Sequence, residues 1–246
     1  MDDLHTGDLL LFSNNSSTGF LLKTFTSSIW NHSGVAVRLL PSGKISFTNE
    51  GELYILEVNT VERFDIISNE VIKGVTISEF EWVARSYNLI AYRKLQRKLI
   101  TPKFANKVAQ FIKKYHKRSF PGSSAVFIGV WLGLPIVGEN ESRGNIFCSE
   151  LVAHFYNQCL EIDLDDKNVG KRLEYLFGKG SPELFQLYSP AGFTADKIPE
   201  STIFESEELP VHRVKSSAQN VLTQPIIITF AVMTIIAMTL PRSSLR

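Results

Sequence analysis

Two short segments carry the residues in this chain best suited to chemistry. They are Trp30-Asn31-His32-Ser33-Gly34-Val35-Ala36-Val37 and Asn145-Ile146-Phe147-Cys148-Ser149-Glu150-Leu151-Val152. The first reads as a strand with a histidine at its start, the second as a helix with a cysteine on its first turn. A thiolate is a strong nucleophile. A helix N-terminus with an imidazole close by is a general way of producing one at neutral pH.

Cys148 precedes Leu151 and Val152 by three and four residues, so it shares their side of the helix. The positive end of the helix dipole lowers a thiol pKa there. The same position also suits a cysteine that only packs, which is how Cys159, deeper in the helix, is read. On an alternating strand His32, Gly34 and Ala36 share one face, and Ser33, Val35, Val37 and Leu39 share the other. The branched residues predict a core face. The bare face beside His32 predicts a hollow through which the cysteine helix approaches its general base. The other histidines fit less well. His154 lies on a different side of the helix from Cys148, His116 sits among lysines, and His5 and His212 lie near the ends.

A third group is expected to orient the imidazole. Glu57 in Leu53-Tyr54-Ile55-Leu56-Glu57-Val58-Asn59 is the candidate, because a carboxylate on an apolar strand face needs a partner. Asn59 shares that face and is the alternative. An edge-strand glutamate reaching water remains a third possibility for Glu57.

The elements that must position these residues follow from patterning. Strands are expected at Asp8–Phe12, Val35–Leu39, Tyr54–Val58 and Leu89–Leu95, with a turn at Pro41-Ser42-Gly43. Helical spacing is present over Gly19–Ile29 and again at Phe104, Val108, Phe111 and Ile112. The Gly-, Pro- and Ser-rich stretch from Ser119 to Gly144 reads as a functional loop. Asn145 is expected to cap the following helix, which carries a buried stripe of Leu151, Val152, Phe155, Tyr156, Cys159 and Leu160.

With 246 residues, 44% of them hydrophobic and 21% charged, the chain has room for one sizeable domain and a tail. The net charge of +1 hides a polarity. Between Glu81 and Glu139 every charged residue is basic, and after Glu139 the balance turns acidic. A basic face at residues 85–118 suits an anionic partner such as a membrane, or is a solvated helix face. Few aromatics interleave with these lysines, which argues against nucleic acid. Cys148 and Cys159 on one helix stand about 16 Å apart along its axis, beyond the ~7 Å that a disulfide allows. Both are therefore read as free thiols in a reducing compartment. No signal peptide is evident at the N-terminus. Ser216–Pro241 lacks charge, and Val221–Leu240 would span about 30 Å as a helix, enough to cross a bilayer. The expected organisation is a domain over 1–204, a polar linker over 205–220, and a transmembrane anchor over 221–240. The domain would lie on the cytosolic side. A core or interfacial helix is the other reading of the tail.

The order Leu4-His5-Thr6-Gly7-Asp8-Leu9-Leu10-Leu11-Phe12, Asn31-His32-Ser33-Gly34-Val35, Leu56-Glu57-Val58 and Phe147-Cys148-Ser149-Glu150-Leu151-Val152 resembles the circularly permuted, NlpC-type papain-like hydrolases. That group includes YiiX/YaeF-like enzymes, a poxvirus family and, more distantly, the lecithin–retinol acyltransferases. The resemblance covers roughly residues 4–200, and Tyr188-Ser189-Pro190-Ala191 is similar to a serine/proline segment of YiiX-like members. It implies an α+β fold in which an antiparallel sheet packs against the cysteine-bearing helix, here followed by a C-terminal hydrophobic helix. It implies Cys148 as nucleophile, His32 as base and Glu57 as orienting acid, with no cofactor or metal. Phe147-Cys148-Ser149 departs from the Asn-Cys-Glu of the acyltransferase branch and favours the YiiX-like one. The expected activity is thiol hydrolysis or acyl transfer on an amide or ester of a peptide or lipid. The alternative is a papain-fold membrane adaptor without turnover.

Overall fold

A computed structural model describes residues 3–15, 23, 28–120, 145–161, 169–177, 188–194 and 203–213. The chain divides into two units, Met1–Val214 and Lys215–Arg246. The second unit, with the expected anchor 221–240, lies outside the described residues, as do most of the predicted helix Gly19–Ile29 and the loop 121–144.

Six strands form one antiparallel sheet. They are β1 (Leu9–Ser13), β2 (His32–Leu39), β3 (Glu52–Asp65), β4 (Glu70–Glu79), β5 (Leu89–Leu95) and β6 (Phe204–Arg213), in the order β4-β3-β2-β1-β5-β6. The helices are α1 (Phe80–Ala84), α2 (Pro102–Tyr115), α3 (Cys148–Cys159) and α4 (Val169–Phe177). The architecture is α+β, as the sequence predicts.

Strand alternation sorts the core into two layers. Leu9, Leu11, Val35, Val37, Leu56 and Val58 pack with Val108 and Phe111 of α2 and with Leu151, Val152 and Phe155 of α3. On the opposite face Leu10, Phe12, Ala36 and Ile55 pack with Phe80, Val83, Tyr87 and Ile90. Tyr156 of α3 donates its hydroxyl to the Gly7 carbonyl at 2.8 Å, tying that helix to the start of β1. Gly7 has φ +97°, and a Cβ there would lie 2.7 Å from Leu95 and 2.8 Å from Phe104, so only glycine fits this close approach. Beside it, the buried Asp8 carboxylate accepts from both Arg97 terminal nitrogens (2.7 and 3.1 Å) and from the Leu95 and His5 amides.

Three expectations are corrected. Residues 205–213, expected as the first part of a polar linker, belong to β6, whose Leu209 and Phe204 pair with Tyr92 and Leu95 of β5. An edge strand gains its stability from the backbone ladder and needs no apolar alternation of its own, so its glutamates gave the look of a linker. Arg93 of β5 is the register partner of Glu208, and its buried guanidinium donates to the Phe193 carbonyl at 3.1 Å. Secondly, the strand expected to end at Val58 runs on to Asp65 and pairs with β4, with a register shift between Asn59 and Arg63. Thirdly, Phe147 rather than Asn145 is the N-cap of α3, and Glu150 Oε2 accepts from the Phe147 amide at 3.1 Å. That contact is the backward arm of a capping box.

α2 starts as its sequence suggests. Thr101 accepts from the Phe104 amide at 3.1 Å, and Pro102 opens the first turn. The basic stretch is partly neutralised where it lies. Lys94 pairs with Asp3, Arg97 with Asp8, Lys103 and Lys107 with Glu161, and Lys117 with Glu70.

Candidate functional site

His32 is the first residue of β2 and Cys148 the first of α3. The two side chains are close enough for each to shift the other's protonation. His32 Nε2 lies 2.7 Å from Oε2 of Glu57, which is completely buried in β3. With Nε2 occupied by the carboxylate, Nδ1 is the ring nitrogen left for the thiol. The structure brings the three sequence-derived candidates together, with the imidazole bonded to the carboxylate and beside the thiol.

The route by which they meet is not the one expected. Gly34 leaves no hollow for a helix. A Cβ at that position would lie 3.0 Å from both Ile55 Cγ2 and the Leu56 carbonyl, and 3.4 Å from Glu57 Cβ, so β3 fills the space. α3 instead covers the opposite face, where Cys148 belongs to the cluster containing Val35 and Val37. Thiol and imidazole meet at the end of the sheet, where β2 begins and α3 begins.

The imidazole is held on three sides. It stacks on Tyr87 (centroids 5.6 Å, planes 5° apart) and tilts against Phe12 at 5.6 Å. Glu57 is held in turn. Its Oε1 accepts from Asn59 Nδ2 at 3.3 Å and lies 3.5 Å from Arg63 Nε. Arg63 donates to Ser86 Oγ at 2.9 Å and lies over the Trp82 ring at 5.0 Å. Asn59, the alternative orienting residue, thus bonds the carboxylate rather than the imidazole.

Burial opposes charge on His32, but the Cys148 thiolate and the Glu57 carboxylate beside it outweigh that and push the imidazole up to about 10. Burial likewise opposes a thiolate at Cys148. The His32 imidazole and its charge, helped by the backbone amides of Ser33 and Ser149, favour the thiolate and bring that thiol below its ordinary value. The two shifts run in opposite directions, and each favours the charged form of its group. Cys159, also a free and buried thiol, is pushed far up by burial alone.

The remaining histidines serve elsewhere. Burial, then the charges of Lys114 and Arg118, push His154 down to about 4. His116 Nε2 bonds the buried Asp65 at 2.8 Å. Arg63 was the residue that sequence reasoning missed. It shares strand parity with Glu57 and Asn59, a signal that was cut off by ending the strand at Val58. Tyr87 follows α1 in a turn and has no sequence signature. Among the described residues, no group of three or more His, Cys, Asp or Glu is placed to hold a metal ion.

No family model matches the sequence, and no curated protein is significantly similar to it. Among solved structures, the chain is similar to the crystal structure of a metalloprotein, yiiX, from Escherichia coli O157:H7. The TM-score is 0.49 and the identity 17%, covering 86% of this chain and 99% of that one. A likeness at that level says nothing about activity or ligand.

Proposed function

We propose that the protein is a thiol hydrolase or acyl transferase acting on an amide or ester through Cys148, His32 and Glu57. What carries this reading is the grouping of thiol, imidazole and carboxylate with its opposite shifts of thiol and imidazole. The Cys148 thiolate attacks the carbonyl carbon, and the tetrahedral oxyanion accepts from the Cys148 amide at the open end of α3, where helical N–H groups lack intrahelical partners. Donors so placed contribute several kcal/mol to such a step. Collapse expels an amine or alcohol that takes the proton from His32, leaving a thioester on Cys148. Water or a second acceptor, deprotonated by His32, then releases the acyl group and regenerates the thiol. Glu57 stabilises the imidazolium throughout.

A permuted papain-like arrangement belongs to the same proposal, since the histidine strand precedes the cysteine helix in this chain. So does a membrane location with the domain on the cytosolic side. Its support is the uncharged segment 221–240 and the two unpaired, buried cysteines. No helix among the described residues is long and apolar enough to cross a membrane.

The test is intact-mass detection of an acyl-thioester after exposure to p-nitrophenyl esters of short and long acids. The full chain should gain one acyl group, Cys159→Ala should still gain it, and Cys148→Ala should not. Equal loss in both variants would sink the assignment, and no adduct on any variant would leave the adaptor reading.

A further inference from the structure

A groove of about 740 Å³ runs between α2 and the β2–β3 connection. It lies at the far end of β2 from the cysteine site, since His32 and Leu39 are about 23 Å apart at 3.3 Å per strand residue. Its volume falls in the range of small-ligand sites. The walls are apolar, with Leu39, Phe47 and Ile67 on one side and Ala109 and Ile112 on the other. Phe47 and Ile67 are 45% and 50% exposed, an apolar lip that water would otherwise cover.

The charged lining has one sign. Lys44 and Lys113 border the groove, and no aspartate or glutamate lines it. Neither lysine has an ion-pair partner among the described residues, whereas Lys103, Lys107 and Lys117 nearby are each paired. The buried acid Asp65 is consumed by the Ile77 and Ser68 amides, the Ser68 hydroxyl and His116, which also lines the groove. The walls offer little to bond a peptide backbone, and a concave channel suits one chain better than a bilayer surface. We propose that this groove binds a single long-chain acyl anion of the fatty-acid class, its chain along the apolar walls and its carboxylate at Lys44 and Lys113. Binding there is independent of turnover at Cys148.

The test uses the full chain in phosphatidylcholine nanodiscs with a diazirine-bearing palmitate, mapping crosslinks by peptide mass spectrometry. Labelling should concentrate on residues 39–47 and 102–116 and persist in Cys148→Ala. Palmitate should compete. Each buried methylene strengthens binding about fourfold, so laurate should compete at least ~10-fold more weakly. 1-Hexadecanol, with the chain but not the charge, should also fall at least ~10-fold short. Ala109 is exposed, so Ala109→Trp should fill the groove without disturbing the core and remove the labelling. Lys44→Glu with Lys113→Glu should weaken it at least ~10-fold. Labelling that survives Ala109→Trp, or equal competition by the alcohol, would overturn the proposal. Labelling by a photoactivatable phospholipid but not by the free acid would also overturn it and assign the face to the bilayer.

Discussion

Replacing Glu57 with glutamine keeps the volume of the buried side chain and removes its charge. The imidazolium and carboxylate centres are about 4 Å apart across the 2.7 Å bond, which at an effective dielectric near 20 is worth about 4 kcal/mol. The amide oxygen can still accept from His32 Nε2, and a neutral hydrogen bond retains about 1–1.5 kcal/mol. The net loss of about 2.5–3 kcal/mol lowers the thiolate–imidazolium population about 70- to 160-fold at neutral pH. The assay is the rate of chloroacetamide labelling of Cys148 in the full chain at pH 7, read by peptide mass spectrometry. Cys159, whose thiol burial pushes far up, is the internal reference. If it stays unlabelled, the variant has not opened. A Glu57→Gln rate within about threefold of wild type, well short of the loss worked out above, would refute the electrostatic role assigned to Glu57.

The folded His32 pKa is raised from 6.5 to about 10, so the stability it contributes is complete below pH 6.5 and lost as pH rises through about 10. The Cys148 pKa is lowered from 9.0, so its contribution is present above pH 9.0 and lost as pH falls through the folded value. Thermal denaturation should therefore show His32→Gln below wild type at pH 6, with the gap narrowing towards pH 10.5. A gap that widens with pH would contradict the shift. Ser149→Ala removes the 2.6 Å bond from a buried hydroxyl to the Tyr188 carbonyl. It should lower Tm by about 2–10 °C while leaving Cys148 labelling nearly unchanged, because the Ser149 amide remains; a tenfold slower reaction would speak against that division. Gly34→Ala should cost about 1–3 kcal/mol of unfolding free energy. It should also slow labelling by pushing β3 and Glu57 away from His32, so a neutral result would mean that the strands yield freely.

The candidate residues were more legible in the sequence than the scaffold that brings them together. Cys148 with Leu151 and Val152, and His32 ahead of Val35 and Val37, are read from local spacing alone, because each sits on an element with a clear apolar stripe. Gly34 misled, because a bare strand face is filled as readily by a neighbouring strand as by a helix. Only the register between β2 and β3 distinguishes the two. β6 was hidden because the ladder with β5 stabilises it while Glu205, Glu207 and Glu208 advertise a linker. Arg63 was missed because the strand was ended at Val58, short of the stretch beyond the register shift that carries it. Its tie to Glu57 depends on Ser86 and Trp82, brought in from outside the strand.

The most direct test of the central claim is the pH profile of Cys148 labelling by chloroacetamide in the full chain, with His32→Ala beside it. The account predicts a rate that is already near its plateau below pH 8 in the wild type. In His32→Ala the rate should be depressed and climb tenfold per pH unit, as for an ordinary thiol. A wild-type profile that climbs the same way, with Cys148 no faster than Cys159, would contradict an activated nucleophile.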